Sequence, residues 1–447
     1  MDVVMMKISW RLGSWMLAAT MLSGCGGESS SAPHVEKNLD TTISQKSPAL
    51  TVNDDETSAK SGVVPTSAVG EPRQKTDVDE GETKIAAPEK DSPEWFILQI
   101  TRLKLRPLGD EVDAFSQSLD KQAELRRERN EQLVNLATEA IARTHKNKSE
   151  AGQRVFDLAV HHLLEAELQL ALTGDKEHID AIYEHASSLY ERDPKSKPAI
   201  EAGQVLISFT RLNAQRFGQQ EPKWLEEYGR LARQFAKSFP HEERQAIPIL
   251  LAAGQSCEFH GLTTDAIQCY ATIRDQFPEN PAVDRVTAIL RRLNLKGQPI
   301  ELAGPTLHGG YINAAEMTGK PILVVFWTTQ AQPFVKQLPQ LRELLGQIDS
   351  ERLSVVSVNL DDDDNESAVQ TFLETNGLNW QTIFQTDAEK RGWNNPVATY
   401  YGIQSVPLYW VVSAKGNVVD TSNNVRQIEP LLRKLMIPKQ TSQNEQK

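Results

Sequence analysis

An apolar segment is followed almost at once by a helix-like one in the stretch ILVVFWTTQAQPFVKQLP, residues 322–339. A near-continuous apolar run of this kind is typical of a central strand that is covered on both faces. The abrupt change leaves backbone amides free at the start of the helix, where several enzyme families hold a nucleophile. The junction, residues 330–334, reads Gln-Ala-Gln-Pro-Phe and contains no such group. The sequence therefore predicts the backbone arrangement of a reactive site without a nucleophilic side chain.

The last third of the chain predicts an α/β domain. LSVVSVNL, residues 353–360, is a second strand-like run, and residues 408–420 read as a hairpin that turns at Lys415 and Gly416. An amphipathic helix lies between the first two strands, another follows Asn365, and VRQIEPLLRKL forms the last helix. Strands and helices in this order favour an α/β domain with a mixed central sheet.

Two motifs make residues 300–437 similar to the thioredoxin superfamily, in its extracytoplasmic, membrane-tethered redoxin or TlpA-like branch. They are GKPILVVFWTTQAQPFVKQLPQL and YYGIQSVPLYWVVSAKGNVV. The resemblance implies that Pro407, preceded by Val406, is the family's cis-proline. It also implies that the Cys-x-x-Cys pair falls on Ala331 and Phe334, and of this motif only the intervening Pro333 remains.

The missing cysteines bear directly on the expected chemistry. Thiol exchange requires an attacking thiolate and a resolving thiol, and residues 300–447 contain no cysteine. Thr328 and Thr329 are expected to be structural, because no histidine or carboxylate close in sequence can serve as their base. We therefore predict no catalytic residue and no cofactor in this domain.

The resemblance also implies a groove that does not depend on sulfur. It would be formed by the side chains and backbone of Trp327, Phe334, Val406 and Pro407. In this fold the backbone before the cis-proline can pair with an extended peptide. We therefore expect an envelope protein or peptide of unknown identity as the partner.

Residues 91–299 have helical periodicity, and three of the expected helices end near prolines 194, 240 and 278. The segment LLAAGQSCEFHGLTTDAIQCYATIRDQFP resembles a tetratricopeptide (TPR) repeat. In it, Gly254 and Ala266 would let two helices approach closely, with Tyr270 beside them. The predicted fold is thus an all-α, TPR-like region of helical hairpins followed by an α/β thioredoxin-like domain. The helical region could bind a partner or pack only against its own chain, and the sequence does not separate these alternatives.

Three groups of polar or sulfur-containing side chains are candidates for further sites. Cys257 and Cys269 lie about a predicted turn, and both a structural disulfide and two buried thiols are consistent with the sequence. A catalytic pair is less favoured, since neither cysteine lies at a helix start or beside a clear cation. His161 and His162 are adjacent on a helix, so they are expected to diverge, and no metal site is predicted. The DDDD run at residues 361–364 lacks the glycine and glutamate of a calcium loop, so we expect a solvated loop.

The N-terminus predicts a lipid anchor. Lys7 and Arg11 precede a short apolar stretch that ends in LSGC, which resembles the lipobox of bacterial lipoproteins. By this resemblance residues 1–25 are a signal peptide and Cys25 is the lipidated residue, and a plain signal peptide is the alternative. Residues 26–90 contain no aromatic residue and are expected to be a disordered tether, as are residues 438–447 a disordered tail.

Charge and motif together leave two function classes. The net charge is −12 and no long basic run is present, which argues against a nucleic-acid partner. The first class is a redox-inactive envelope lipoprotein that binds a protein or peptide, held at the membrane by its lipid. The second is a thiol-disulfide oxidoreductase that uses Cys257 and Cys269, or thiols supplied by a partner.

Overall fold

A computed structural model of the protein describes residues 87–108, 119–362 and 366–436. Within them a helical region comes first and an α/β domain second. The predicted order of helical region and mixed-sheet domain is therefore confirmed. The predicted signal peptide with Cys25, most of the predicted tether and the predicted tail lie outside the described residues. Among the described helices, none is both long and apolar enough to cross a membrane.

Nine α-helices form the described part of the helical region. They are α1 (Pro93–Leu105), α2 (Leu119–Thr144), α3 (Glu150–Ala171), α4 (Lys176–Arg192), α5 (Lys197–Phe217), α6 (Lys223–Ser238), α7 (Glu243–Phe259), α8 (Thr263–Gln276) and α9 (Ala282–Leu293). Helices α4, α6 and α8 each end two residues before the prolines at 194, 240 and 278. Proline disfavours helical geometry in the residue before it, so these stops follow from the sequence.

The hairpin of α7 and α8 has the close packing that its small residues predict. A Cβ atom added at Gly254 would lie 2.8 Å from the ring of Tyr270, so only glycine permits this approach. Ala266 and Tyr270 are both fully buried. The predicted fit of Gly254 against Tyr270 is confirmed, and it holds the two helices together on one side of the helical core.

The C-terminal domain contains seven strands and four α-helices within the described residues. They are β1 (Ala303–Pro305), β2 (Tyr311–Asn313), β3 (Ile322–Trp327), α10 (Gln332–Gly346), β4 (Ser354–Asn359), α11 (Glu366–Thr375), β5 (Gln381–Ile383), α12 (Pro396–Tyr400), β6 (Leu408–Val412), β7 (Val418–Ser422) and α13 (Val425–Met436). Strands β1 and β2 form a small antiparallel pair. The other five form one sheet in the order β5-β4-β3-β6-β7.

Strand β3 is the centre of this sheet, as its apolar sequence predicts. It pairs in parallel with β4 and antiparallel with β6, so the sheet is mixed. All six of its residues are buried. Alternate residues point to opposite faces: Val324 and Phe326 pack on one side, while Val325 and Trp327 face the helices α10, α11 and α13 on the other.

The helical region packs directly against the α/β domain. The guanidinium of Arg291, on α9, lies 3.8 Å from the centroid of the Tyr400 ring. Gly402 has a φ of +58°, and a Cβ atom there would lie 2.8 Å from the backbone nitrogen of Ile289. This contact brings the chain after α12 against α9 and towards the α7–α8 turn.

Candidate functional site

The resemblance places the reactive cysteines of the thioredoxin superfamily at the junction between β3 and α10. Ala331 is the N-cap residue of α10, and its carbonyl accepts hydrogen bonds from the amides of Phe334 and Val335, at 2.9 and 3.0 Å. The Ala331 side chain is half-buried and is a methyl group. The helix start is therefore formed normally, but the Ala331 methyl group cannot attack, accept a proton or bind a metal.

Phe334, which the resemblance places at the second cysteine, belongs to the core. It is fully buried, and its ring centroid lies 5.4 Å from that of Trp327 and 6.4 Å from that of Phe372. Trp327 and Phe372 are stacked at 5.2 Å. The prediction that Trp327 and Phe334 line an open groove is wrong, because both side chains are fully buried. Burial of this apolar ring against its aromatic neighbours is lower in free energy than its exposure to water.

A buried carboxylate holds the loop between β3 and α10. Asp361 accepts hydrogen bonds from the Thr329 amide at 2.9 Å and from the Thr329 hydroxyl at 3.1 Å. The Asn359 carboxamide donates to the other oxygen of Asp361, at 2.8 Å. Asp361 is only 7% exposed, so it is not part of a solvated loop as predicted. The rest of the DDDD run includes residues outside the described part of the chain.

The contact between Thr329 and Asp361 gives Thr329 the carboxylate neighbour that sequence proximity did not suggest. The two residues are 32 positions apart. They meet because Asp361 follows β4 and Thr329 follows β3, and these parallel strands end at the same edge of the sheet. The carboxylate accepts from two donors on Thr329 and from Asn359, so it fixes the backbone of the loop. The prediction that Thr329 is structural agrees with this geometry.

The segment before Pro407 provides free backbone next to this loop. The bond between Val406 and Pro407 is cis, as the resemblance implied. Gln404 and Ser405 are exposed, Val406 is half-buried and Pro407 is buried. Among the residues that the structure describes, neither Ser405 nor Val406 makes a main-chain hydrogen bond with another backbone group. Their amides and carbonyls are thus available to an added strand.

A cleft of about 690 Å³ lies between this segment and the helical region. One wall contains Ile403, Gln404 and Ser405, and the other contains the α7–α8 turn from Glu258 to Thr263. Phe259, at the end of α7, is 83% exposed. Glu258 is neutralised by Arg292 at 2.7 Å. The cleft therefore combines polar groups, free backbone and one exposed aromatic ring without a strong net charge.

Cys257 and Cys269 are free thiols in the interior of the helical region. Both sulfurs lie beside Gly229, at 3.6 and 3.5 Å from where its Cβ would be. Burial raises the pKa of Cys257 to about 12, because it disfavours the thiolate. Burial also raises the pKa of Cys269, although a cation that the sequence did not reveal, Arg233, lies 3.7 Å from its sulfur. Of the arrangements that the sequence allowed, the structure has two buried thiols.

The two adjacent histidines of α3 do not diverge as predicted. His161, His162 and Glu165 each place one coordinating atom within 4.8 Å of the others. The prediction failed because side-chain torsions turn both rings towards the same neighbour, one turn along the helix. The spacing of His161 and Glu165, at i and i+4, was the available signal.

Comparison with known proteins gives matches for the C-terminal part of the chain. Residues 296–421 match the model of the AhpC/TSA family. The thiol-disulfide oxidoreductase ResA of Halalkalibacterium halodurans is 25% identical over 122 residues, which are 27% of this chain and 64% of that protein. ResA of Bacillus subtilis is 24% identical over 112 residues, 25% of this chain and 58% of that protein. The matches thus span less than two thirds of these two relatives.

Solved structures with a similar C-terminal part are also thiol-disulfide oxidoreductases by their descriptions. The thioredoxin domain of one from Bacteroides vulgatus is 20% identical, with 31% of this chain and 96% of that chain covered and a TM-score of 0.27. A secreted disulfide oxidoreductase of Mycobacterium tuberculosis is 20% identical, with 30% and 96% covered and a TM-score of 0.25.

Proposed function

We propose that this protein, whose C-terminal part is a thioredoxin-like redoxin domain, binds an extended polypeptide and does not itself exchange thiols. The partner would be a segment of another envelope protein. It would add as a strand along Ser405 and Val406 and would lie in the cleft that faces the α7–α8 turn.

One observation carries the redox-inactive part of the proposal: the two reactive positions are a methyl group and a buried ring. Thiol exchange proceeds through a mixed disulfide on the first cysteine, which the second cysteine resolves. Ala331 can form no such bond, and Phe334 is fully buried among Trp327 and Phe372. Aromatic core packing thus lies where the resemblance places a reactive thiol, which supports a function other than thiol exchange.

Free backbone next to an exposed ring supports the binding part of the proposal. Strand addition gains affinity from main-chain hydrogen bonds and specificity from pockets for alternate side chains. Ser405 and Val406 would supply the main-chain hydrogen bonds. The cleft wall with Phe259 would supply a pocket for side chains. An aromatic ring that is 83% exposed loses apolar contact with water when a partner covers it.

The proposed location rests on the N-terminal pattern. Cleavage before Cys25 and lipidation of its sulfur would anchor the protein in the cell envelope, facing the extracytoplasmic or periplasmic side. Residues 26–90 would then act as a flexible coil with a reach on the order of 45 Å. The folded part could thus meet partners well away from the membrane surface.

The alternative function, thiol exchange by Cys257 and Cys269, predicts thiols that react readily. In a Cys25→Ser variant we expect the opposite: both remaining thiols stay unreactive towards Ellman's reagent at pH 8 until the protein is unfolded. With the pKa of Cys257 raised to about 12, its thiolate fraction at pH 8 is about a thousandfold below that of a free cysteine. Colour development in native and in urea-unfolded protein measures this, and rapid reaction of the native protein would favour the alternative.

Site-specific photo-crosslinking tests the binding proposal. A benzophenone amino acid at Ser405, in the full-length protein in its own membrane, should give adducts with envelope proteins. The same probe at Lys415, exposed in the turn between β6 and β7, should give none above background. A Phe259→Ala change should lower the yield from Ser405 several-fold, because truncating an aromatic anchor weakens binding.

The control for this experiment is the position of the probe, since both variants share the same fold and anchor. Equal adducts from Ser405 and Lys415, or a yield from Ser405 that Phe259→Ala leaves unchanged, would contradict binding at the cleft.

A further inference from the structure

Helix α3 carries three side chains whose donor atoms converge at the surface of the helical region. The Nε2 of His161 and the Nδ1 of His162 each lie 3.8 Å from the Oε2 of Glu165. Imidazole nitrogen and carboxylate oxygen bind Zn²⁺ at about 2.0–2.2 Å, which puts tetrahedral ligand atoms roughly 3.4 Å apart. These two separations are a few tenths of an ångström wider, and all three donor atoms lie within 4.8 Å of one another. Small torsional changes would therefore bring the three atoms onto one ion.

A carboxylate on a neighbouring helix orients the first ligand. Glu201, on α5, accepts a hydrogen bond from the Nδ1 of His161 at 2.5 Å. This bond places the ring proton on Nδ1 and leaves the Nε2 lone pair directed towards Glu165. Histidines that bind metals commonly donate their other ring nitrogen to a carboxylate in this way, which fixes the tautomer and makes the ligand more basic.

An ammonium group already occupies the cation position of this cluster. The Nζ of Lys104, on α1, lies 2.5 Å from the Oε2 of Glu165 and 3.4 Å from the Nδ1 of His162. The cluster thus attracts a cation, and a lysine on a flexible stem supplies one. A metal ion would have to displace this ammonium, whose side chain is one-third exposed and can turn into solvent.

We propose that His161, His162 and Glu165 form a binding site for a divalent transition metal of the Zn²⁺ class, with Glu201 as the residue that positions His161. Two nitrogens and one oxygen form a donor set that suits Zn²⁺ and its neighbours rather than Ca²⁺ or Mg²⁺. His161 and Glu165 are about half exposed, so a fourth position is open to water or to a side chain of a partner.

Titration of the tag-free, metal-free full chain with ZnCl₂ by calorimetry tests the site. We expect one Zn²⁺ per chain, and a Kd that rises at least about tenfold in His162→Ala and in Glu165→Gln. His308→Ala changes an exposed histidine of the other domain and should leave the Kd unchanged. Far-UV circular dichroism checks that each variant is folded.

Two further variants separate a metal site from a cluster of surface hydrogen bonds. Glu201→Ala should weaken Zn²⁺ binding by about 10- to 100-fold, because it removes the group that orients His161. Lys104→Met should tighten it by about tenfold, because the competing cation is gone. Absence of binding by the unmodified chain, equal affinity in folded Glu165→Gln, or weaker binding in Lys104→Met would overturn the proposal.

Discussion

Replacing Phe334 with alanine should lower the free energy of unfolding by about 3–5 kcal/mol, although the resemblance places a reactive cysteine of the superfamily at this position. The ring is fully buried and packs between Trp327 and Phe372. Truncation removes its transfer free energy, leaves a cavity and breaks two aromatic contacts. Urea unfolding of the full chain, followed by circular dichroism, measures the change.

Val335 is the matched control for this substitution. It is the next residue on α10 and is 36% exposed, so Val335→Ala should change the free energy of unfolding by less than about 1 kcal/mol. Phe334→Leu keeps most of the volume and should cost less than Phe334→Ala. If Phe334→Ala unfolded at the same urea concentration as Val335→Ala, the ring would not be part of the core, and the site could be open after all.

Strong local patterns made much of the C-terminal domain predictable. The apolar runs at 322–327 and 353–360 became β3 and β4, and the glycine turn at 416 joined β6 to β7. Strands β1, β2 and β5 were not predicted. Each has three residues, too few to establish an alternating pattern, and each exists because a neighbouring strand supplies its hydrogen bonds.

The site was less predictable than the fold, because its contacts join residues that are distant in sequence. The loss of the Cys-x-x-Cys pair could be read directly, but not that the Phe334 ring turns inward to meet Phe372. The link between Thr329 and Asp361 needs the register of two parallel strands. The sequence alone therefore predicted that reactive cysteines are absent, but it did not predict the aromatic packing of Phe334.

A different limit applies to the histidines of α3. The rule that adjacent helical residues point apart holds for their Cβ atoms, whereas long side chains reach a common point through their torsions. Lys104 and Glu201 come from α1 and α5, and they fix those torsions from outside the helix. A prediction from one helix could not include them.

Gly402→Ala should destabilise the protein by about 2–5 kcal/mol and should disturb the cleft. A left-handed backbone conformation costs an alanine about 1–2 kcal/mol, and overpacking adds about 1–3 kcal/mol. The overpacking arises because the new Cβ would lie 2.8 Å from the backbone nitrogen of Ile289, which cannot turn away as a flexible side chain could. We therefore expect α9 and the segment after α12 to separate slightly, which would widen the cleft at Ile403.

The Gly416→Ala variant separates the cost of the steric contact with α9 from the cost of the strained backbone. Gly416 also has a positive φ, of +83°, but no atom of a described residue beyond its chain neighbours lies within 4 Å of the position of an added Cβ. Its substitution should cost only the conformational part, about 1–2 kcal/mol. The difference between the two variants in urea unfolding is then the free energy of overpacking against α9.

If the cleft also binds the partner, adducts from a probe at Ser405 fall in Gly402→Ala and persist in Gly416→Ala. Equal unfolding free energies for the two variants would mean that α9 does not press on this segment in solution, and the cleft would lose its helical wall.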